Sequence, residues 1–570
     1  MKNWKLLSAM LLACATLWLA CGEDYPTPSE GTQVSVRFAG RVLTTNNLPV
    51  VNAEVRAGDE ITYTDVNGVF RLPELKLPAR NAILRVHKAG YFAFSRAYVV
   101  ENKSLQNLTI QLLDKQLIHS FAASQPSTAE TGTGARINFP ANAVTKTDGS
   151  AYSGTVRVYA QYLDPTAPDL SLHMPGDLRG ISLSGEEQTL ATFGMLGVEL
   201  ETPAGEILQV AAGQEVEIDL PIPSEKLAAA PATIPLWHYD DATARWVEEG
   251  FAEKIGDRYV GKVSHFSFWN CDVGLPLVHL SGKLFLETID QPLSWAVVEL
   301  TLLSKGYTRN AVTDQNGCFG GQVPKNEAFL MEVYVQTPCG KELVYSQNIG
   351  PFQNDVVLPN IIVQVQNIPE LLVSGVLQNC NNQAVQNGYA VITHGNLEYT
   401  VPTEPDGNFS LTIFSCNIGG PVTVVGYDLD ALNASQTSTF NNPASPLSVG
   451  NIQACTPIAE FVEIIYDGQS YKIVENVGRE IVGAKTNIFA ESAGKYVTFQ
   501  FENNQQTGTF PLDQFYFYPG VADSVSTINI NTTITQFGPS GQQIIGTLSG
   551  TLQSNNGQTH TVSGNYQVNY

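Results

Sequence analysis

Thr64-Asp65-Val66-Asn67-Gly68-Val69-Phe70 is the stretch that decides the fold. It returns as Thr313-Asp314-Gln315-Asn316-Gly317-Cys318-Phe319 and as Thr403-Glu404-Pro405-Asp406-Gly407-Asn408-Phe409. In each copy an Asn-Gly or Asp-Gly pair supplies the positive φ that a tight strand-to-strand turn requires, and Asp65, Asp314 and Asp406 can cap their own turns by bonding backbone N–H groups. The flanks are short β-rich runs. Val34, Val36 and Phe38 alternate before Gly40-Arg41-Val42-Leu43, and Pro49-Val50-Val51-Asn52-Ala53-Glu54-Val55 leads towards the first copy. Gly282-Lys283-Leu284 and Gly375-Val376-Leu377 open the other two modules. Asp314 and Glu404 are about 90 residues apart, the spacing of adjacent copies of one module.

At 570 residues the chain exceeds one hydrophobic core, and roughly three to six domains are expected. Only 15% of residues are charged, and 48 Gly and 31 Pro suit turn-rich all-β domains, not long helices or disorder. The net charge of -23, from 54 acidic against 31 basic residues, repels phosphate backbones and excludes a nucleic-acid partner.

Met1-Lys2-Asn3-Trp4-Lys5 is a short basic start, and Leu6 to Ala20 is apolar but too short to span a membrane, as in a signal peptide. Leu17-Trp18-Leu19-Ala20-Cys21-Gly22 resembles a bacterial lipobox, which implies cleavage before Cys21 and its acylation. Trp18 departs from the usual aliphatic residue there, and Leu11-Leu12-Ala13-Cys14 fits the pattern better, but it leaves a very short apolar core and puts seven more mostly apolar residues into the mature N-terminus. The acidic, proline-containing stretch after Cys21 reads as a polar tether and resembles the surface-export signals of Bacteroidetes lipoproteins. The alternative is a secreted chain in which Cys21 is incidental.

The three modules resemble the carboxypeptidase regulatory-like family, a transthyretin-like β-sandwich. In the first module the likeness rests on Pro49-Val50 with Ala53 and Val55, on the Asp65 phrase and on Lys88-Ala89-Gly90-Tyr91. The family accompanies carboxypeptidases without being their catalytic domain. Ile137-Asn138-Phe139-Pro140-Ala141-Asn142-Ala143 resembles the start of ZU5-like β-sandwiches, and Ile234-Pro235-Leu236-Trp237-His238-Tyr239-Asp240 with Arg245-Trp246 resembles cartilage-intermediate-layer ectodomains. Residues 457–570 look similar to the C-terminal β-domains of Bacteroidetes lipoproteins. The expected plan is all-β, a multidomain string of β-sandwiches: signal peptide 1–20, tether 21–32, regulatory-like module 33–114, ZU5-like segment 115–275, second and third modules 276–367 and 368–456, and a C-terminal β-domain 457–570. Asn555-Asn556-Gly557 there reads as the turn of a terminal hairpin.

Beyond Cys14 and Cys21, the cysteines are Cys271, Cys318, Cys339, Cys380, Cys416 and Cys455, an even set that reads as three disulfides in an exported protein. Local closure favours Cys318 with Cys339 and Cys380 with Cys416, leaving Cys271 for Cys455; an arrangement keeping Cys455 inside its own module is the alternative. The repeated phrases offer two or three oxygens each, too few for Ca²⁺, which takes roughly six to eight. The eight histidines carry no metal-peptidase spacing, and neither a Gly-x-Ser-x-Gly elbow nor a phosphate-cradling glycine loop occurs, so no catalytic residue, cofactor or metal is assigned. His265, beside Phe266 and Trp269, reads as a core or edge histidine. Trp237 and Trp295 are the candidates for stacking on a sugar face. Asp523-Ser524-Val525 matches a short O-glycosylation motif of Bacteroidetes. The reading as a whole is a non-catalytic lipoprotein of the outer membrane and cell surface, an adhesive, scaffold or spacer module. Its membrane contact is through the lipid, and its partner is a glycan or a surface protein. The alternatives are a carbohydrate-binding component of a nutrient-uptake system and a cryptic hydrolase.

Overall fold

The computed structural model describes residues 31–569 except 101, 288–290, 307, 366–367, 416–419, 459, 474–475, 493, 519–524, 538–542 and 555–556. The signal segment, Cys14, Cys21, Cys416 and the Asp523-Ser524 pair therefore lie outside the described residues. The regular structure of the described chain is nearly all β. Its two helices are single turns, Leu170–His173 and Ser224–Leu227.

The first module is a two-sheet sandwich. In one sheet Gln33–Thr44 pairs with Val69–Arg71 and Leu75–Pro78, and runs parallel to Ser104–Leu112. In the other, Glu60–Tyr63, Glu54–Ala57, Ala82–His87 and Phe94–Tyr98 follow one another. The alternation of Val34, Val36 and Phe38 aims one face inward, where they meet Val55, Leu84 and Phe94 from the facing sheet.

The Asp65 phrase is not a hairpin. It carries the chain from Glu60–Tyr63 in one sheet to Val69–Arg71 in the other. Asp65 Oδ1 accepts from Asn67 N and Val69 N, both at 2.9 Å, and Thr64 Oγ1 donates to Val50 O at 2.6 Å while accepting from Ala53 N at 2.7 Å. Thr313 and Asp314 repeat this: Oδ1 accepts from Asn316 N at 2.8 Å and Cys318 N at 2.9 Å, and Thr313 Oγ1 donates to Leu293 O at 2.7 Å. In the third copy Asp406 Oδ1 accepts from Asn408 N at 3.1 Å. The Asp caps expected from sequence are thus present in all three copies. Gly68 has φ +71° with Val42 O only 2.4 Å from where a Cβ would stand, so both conformation and space require glycine.

Residues Leu277–Pro369, together with Phe414 and Ser415, group into a compact unit. Its core joins Leu280, Leu284, Val298, Phe319, Met331 and Val333, with the four-stranded sheet Thr308–Val312, Val297–Leu302, Phe329–Thr337 and Gly340–Ile349 on one side. The 370–413 part of the third module joins residues 33–276 and 417–570 in the other unit. There Glu370–Asn379 runs parallel to Leu447–Pro457, repeating the first-and-last pairing of the first module.

The 457–570 segment is a nine-stranded antiparallel sheet whose two ends share one core, since Val462, Ile464 and Ile473 pack with Ile488 and Ala490. The expected terminal hairpin is present: Gln543–Ser554 pairs with Thr559–Asn569 from Gln543↔Asn569 to Gln553↔Thr559.

Cys380 and Cys455 form a disulfide, their Cα atoms 5.2 Å apart. The parallel register that sets Asn379 opposite Ala454 brings them together. This corrects the expected Cys380 to Cys416 and Cys271 to Cys455 pairings in favour of the arrangement inside one module. Cys318 and Cys339 are both disulfide-bonded. Cys271 is a free, buried thiol, in a core cluster that contains no second cysteine.

Candidate functional site

Within the unit formed by residues 33–276, 370–413 and 417–570, the first module is held on three sides by buried polar contacts. Sequence gives no hint of these seams, because the arginines that make them look like surface charge.

On the side of the 115–275 segment, Arg96 donates to the carbonyls of Ser171 and Gly176 at 2.7 Å and of Met174 at 2.8 Å. It thereby satisfies the loop that follows the single helical turn. Arg179, 1% exposed, donates in the opposite direction, to Arg80 O at 2.9 Å and Ala97 O at 2.8 Å, with Asp177 beside its Nε. Tyr239 Oη donates to Ser95 O at 2.7 Å. An apolar layer fills the seam, with Phe92, Ala97 and Leu113 of the module against Met174, Leu178, Trp237, Trp246 and Phe268. Met174-Pro175-Gly176-Asp177-Leu178 is therefore a docking loop. Gly176, at φ +68°, lets it pass 2.8 Å from the Tyr239 ring, measured from an ideal Cβ.

Trp237 belongs to this seam. It is 1% exposed and its Nε1–H donates to Asp272 O at 3.1 Å, so it offers no face to a sugar, and the stacking role expected for it is corrected. Both faces of its strand are buried: Ile234 and Leu236 enter the core of the 115–275 segment, whereas Trp237 and Tyr239 enter the seam. Trp295 is half-buried with φ +60°.

On a second side, the Asp65 phrase meets residues 388–404. Tyr389 Oη makes a short hydrogen bond to Asp65 Oδ2 and accepts from Asn67 Nδ2 at 2.9 Å. Arg41 pairs with Glu398 at 2.7 Å, Arg71 donates to Gly388 O at 2.9 Å, and Arg37 stands 3.5 Å from Glu404, the first acid of the third phrase. Two of the three repeated phrases thus come together. Burial pushes the Asp65 carboxyl up to about 6, although Tyr389 and the backbone N–H groups of Val69 and Asn67 oppose it.

On the third side Lys88 is buried and bonds Asn565, whose Nδ2 donates to Glu463 at 2.8 Å. Desolvation lowers the Lys88 ammonium to about 7 despite the pull of Glu463.

Apart from the seams, one cluster of metal-ligating side chains stands out in the 115–275 segment: His238, Glu249 and His265, with donor atoms all within 4.8 Å of one another. His238 comes from Thr233–Asp240, Glu249 from Arg245–Ile255 and His265 from the turn before Phe268–Leu286. Register explains the meeting. Pro235 faces Phe251 and Trp237 faces Glu248, so one residue on the first strand opposes Glu249 and Gly250 on the second. This is a β-bulge, with Gly250 at φ +76°, and it re-aims Glu249 towards His238. Trp269 Nε1 donates to His265 O at 3.0 Å and fixes the turn. No spacing in the sequence joins three residues that a bulge and a turn bring together.

Two open clefts lie along Gly375, Glu404, Asn408 and Ser448 and along Thr128, Asn138, Glu217 and Lys262. Neither is lined by the histidine of a nucleophile and base pair.

No family model matches the chain. A stretch of 118 residues, 20% of the chain, is 31% identical to cartilage intermediate layer protein 2 of Homo sapiens and covers 10% of that protein. The Mus musculus protein is 29% identical over 109 residues, 19% of the chain and 9% of its own length. The chain thus spans about a tenth of the curated relatives it matches. Among solved structures, the shaft pilin SpaA from Lactobacillus rhamnosus GG aligns over 32% of this chain and 98% of its own at 10% identity, with a TM-score of 0.17. A DUF3823 family protein from Bacteroides ovatus aligns over 35% and 99% at 12% identity, with a TM-score of 0.13.

Proposed function

We propose that this chain is a non-catalytic cell-surface module, held to the outer membrane through acylated Cys21, that serves as a rigid scaffold or spacer. The observation that carries the reading is the set of buried seams around the first module. Arg96, Arg179, Asp65 and Lys88 each place at least one side-chain bond on a neighbouring segment. Such partners fix orientation, because any sliding leaves a buried charge or carbonyl unsatisfied. A body built this way holds its attached segments at set positions, which is what a spacer requires. A carbohydrate-binding role rests on Trp295, which is only half-buried.

The test combines labelling with an alkyne fatty acid and proteinase K treatment of intact cells. Label that disappears in Cys21→Ala, with a chain that is cut on intact cells, supports the reading. An unlabelled wild-type chain, or hydrolase turnover by the purified chain that one Ser or His variant abolishes, overturns it. A glycan array with wild type and Trp295→Ala addresses the second role; equal signals from both remove it.

A further inference from the structure

We propose that His238, Glu249 and His265 form a binding site for one divalent transition-metal ion of the zinc class. The geometry comes first. Glu249 Oε2 lies 3.1 Å from His238 Nδ1 and 3.3 Å from His265 Nε2. Ligands held at about 2.0–2.1 Å around a tetrahedral ion stand about 3.3 Å from each other, so both separations are those of tetrahedral edges. The third edge, between the imidazoles, is within 4.8 Å.

The donor chemistry selects the ion. Two imidazoles and one carboxylate suit Zn²⁺, Ni²⁺ or Cu²⁺, whereas Ca²⁺ and Mg²⁺ take oxygen-only shells. The three side chains are 19%, 42% and 35% exposed, so a fourth position is open to water.

His265 Nε2 shares a hydrogen bond with Glu249 Oε2 at 3.3 Å, and the second imidazole is left over. His238 Nδ1 is buried and, although close to the carboxylate, is not aligned to bond it or any other group. A buried ring nitrogen without a hydrogen bond is costly unless something else occupies its lone pair. Ser264 Oγ donates to Glu249 Oε1 at 2.9 Å, which fixes the carboxylate and leaves Oε2 facing the imidazoles, the kind of outer support that orients metal ligands. Trp269 packs against both rings, its centroid 5.6 Å from that of His238 and 5.0 Å from that of His265.

The ion would clip the Glu249 bulge and the His265 turn to the strand carrying His238. The test uses the full chain without an affinity tag, stripped with EDTA and titrated with Zn²⁺ against a chromogenic chelator, then with Co²⁺ followed by absorption. Expected are one equivalent of Zn²⁺ per chain, visible Co²⁺ bands of tetrahedral intensity, no competition from a hundredfold excess of Ca²⁺, and at least tenfold weaker binding in His265→Gln and Glu249→Gln. His265 sits in a partly exposed turn, so His265→Gln is chosen to keep the fold, and an unchanged circular dichroism spectrum checks it. Absence of stoichiometric Zn²⁺ in the wild type overturns the proposal. So does equal affinity in wild type and both variants, which would place the ion elsewhere.

Discussion

Replacing Asp65 by Asn isolates the seam between the first module and residues 388–404. The wild-type carboxyl has a folded pKa of about 6 against an ordinary 3.8. The sign follows from linkage. A carboxyl raised in the folded state favours folding when protonated, so its contribution is complete below about 4 and is lost as pH rises through about 6. A shift of about two units at 1.36 kcal/mol each makes that loss about 3 kcal/mol. Asn keeps an oxygen to accept from Asn67 N and Val69 N and has no proton to lose. The stability of Asp65→Asn relative to wild type is therefore expected to climb by about 3 kcal/mol between pH 3 and pH 7.5. Urea unfolding followed by tryptophan fluorescence across that range measures it, and taking the difference cancels the other carboxylates. Parallel profiles for the two proteins would refute the reasoning, because they would mean that Asp65 is neither buried nor sensitive to its ionisation.

Lys88→Met tests the opposite seam. With the folded pKa depressed from 10.5 to about 7, wild-type stability falls as pH drops from 10.5 to 7, by about 5 kcal/mol, and the variant's profile should lack that slope. Cys380→Ser removes a link across 75 residues; loop-closure entropy sets its cost at about 4 kcal/mol in denaturant unfolding, while peptide mapping of the wild type should find Cys380 joined to Cys455 and Cys271 unmodified until the chain unfolds. Gly68→Ala places a methyl 2.4 Å from Val42 O at φ +71° and should lower the urea midpoint by clearly more than Gly149→Ala, where φ is +83° but nothing lies within 4 Å and only about 1 kcal/mol of backbone strain is at stake. Equal losses at the two glycines would show that the close approach to Val42 does not matter.

The sandwich modules were legible because period-2 alternation and three Asn-Gly or Asp-Gly turns are local signals. The capping role of Asp65, Asp314 and Asp406 could be read from side-chain reach alone. The transfer of the chain between sheets at the phrase could not, since it depends on Thr64 and Thr313 anchoring loops 11 and 17 residues earlier. Pairing across distance stayed hidden for the same reason. Cys455 meets Cys380 through a parallel register, and His238 meets Glu249 through a bulge, and neither leaves a mark in spacing. Trp237 misled because an indole in an alternating strand suits a sugar platform or a core equally well, and only the neighbouring module decides which. Arg96 and Arg179 carry no apolar pattern, yet their guanidinium groups hold the seam.

In the first module, register runs in parallel from Val36↔Ser104 to Thr44↔Leu112. The chain thus enters and leaves along neighbouring strands that point the same way. A pull between the two ends loads that whole ladder in shear, so its hydrogen bonds must fail together instead of unzipping one by one. Glu370–Asn379 against Leu447–Pro457 repeats the arrangement, with the Cys380–Cys455 bond beside it. Both ladders are mechanical clamps, and under tension along the chain they should outlast the antiparallel hairpins of residues 457–570.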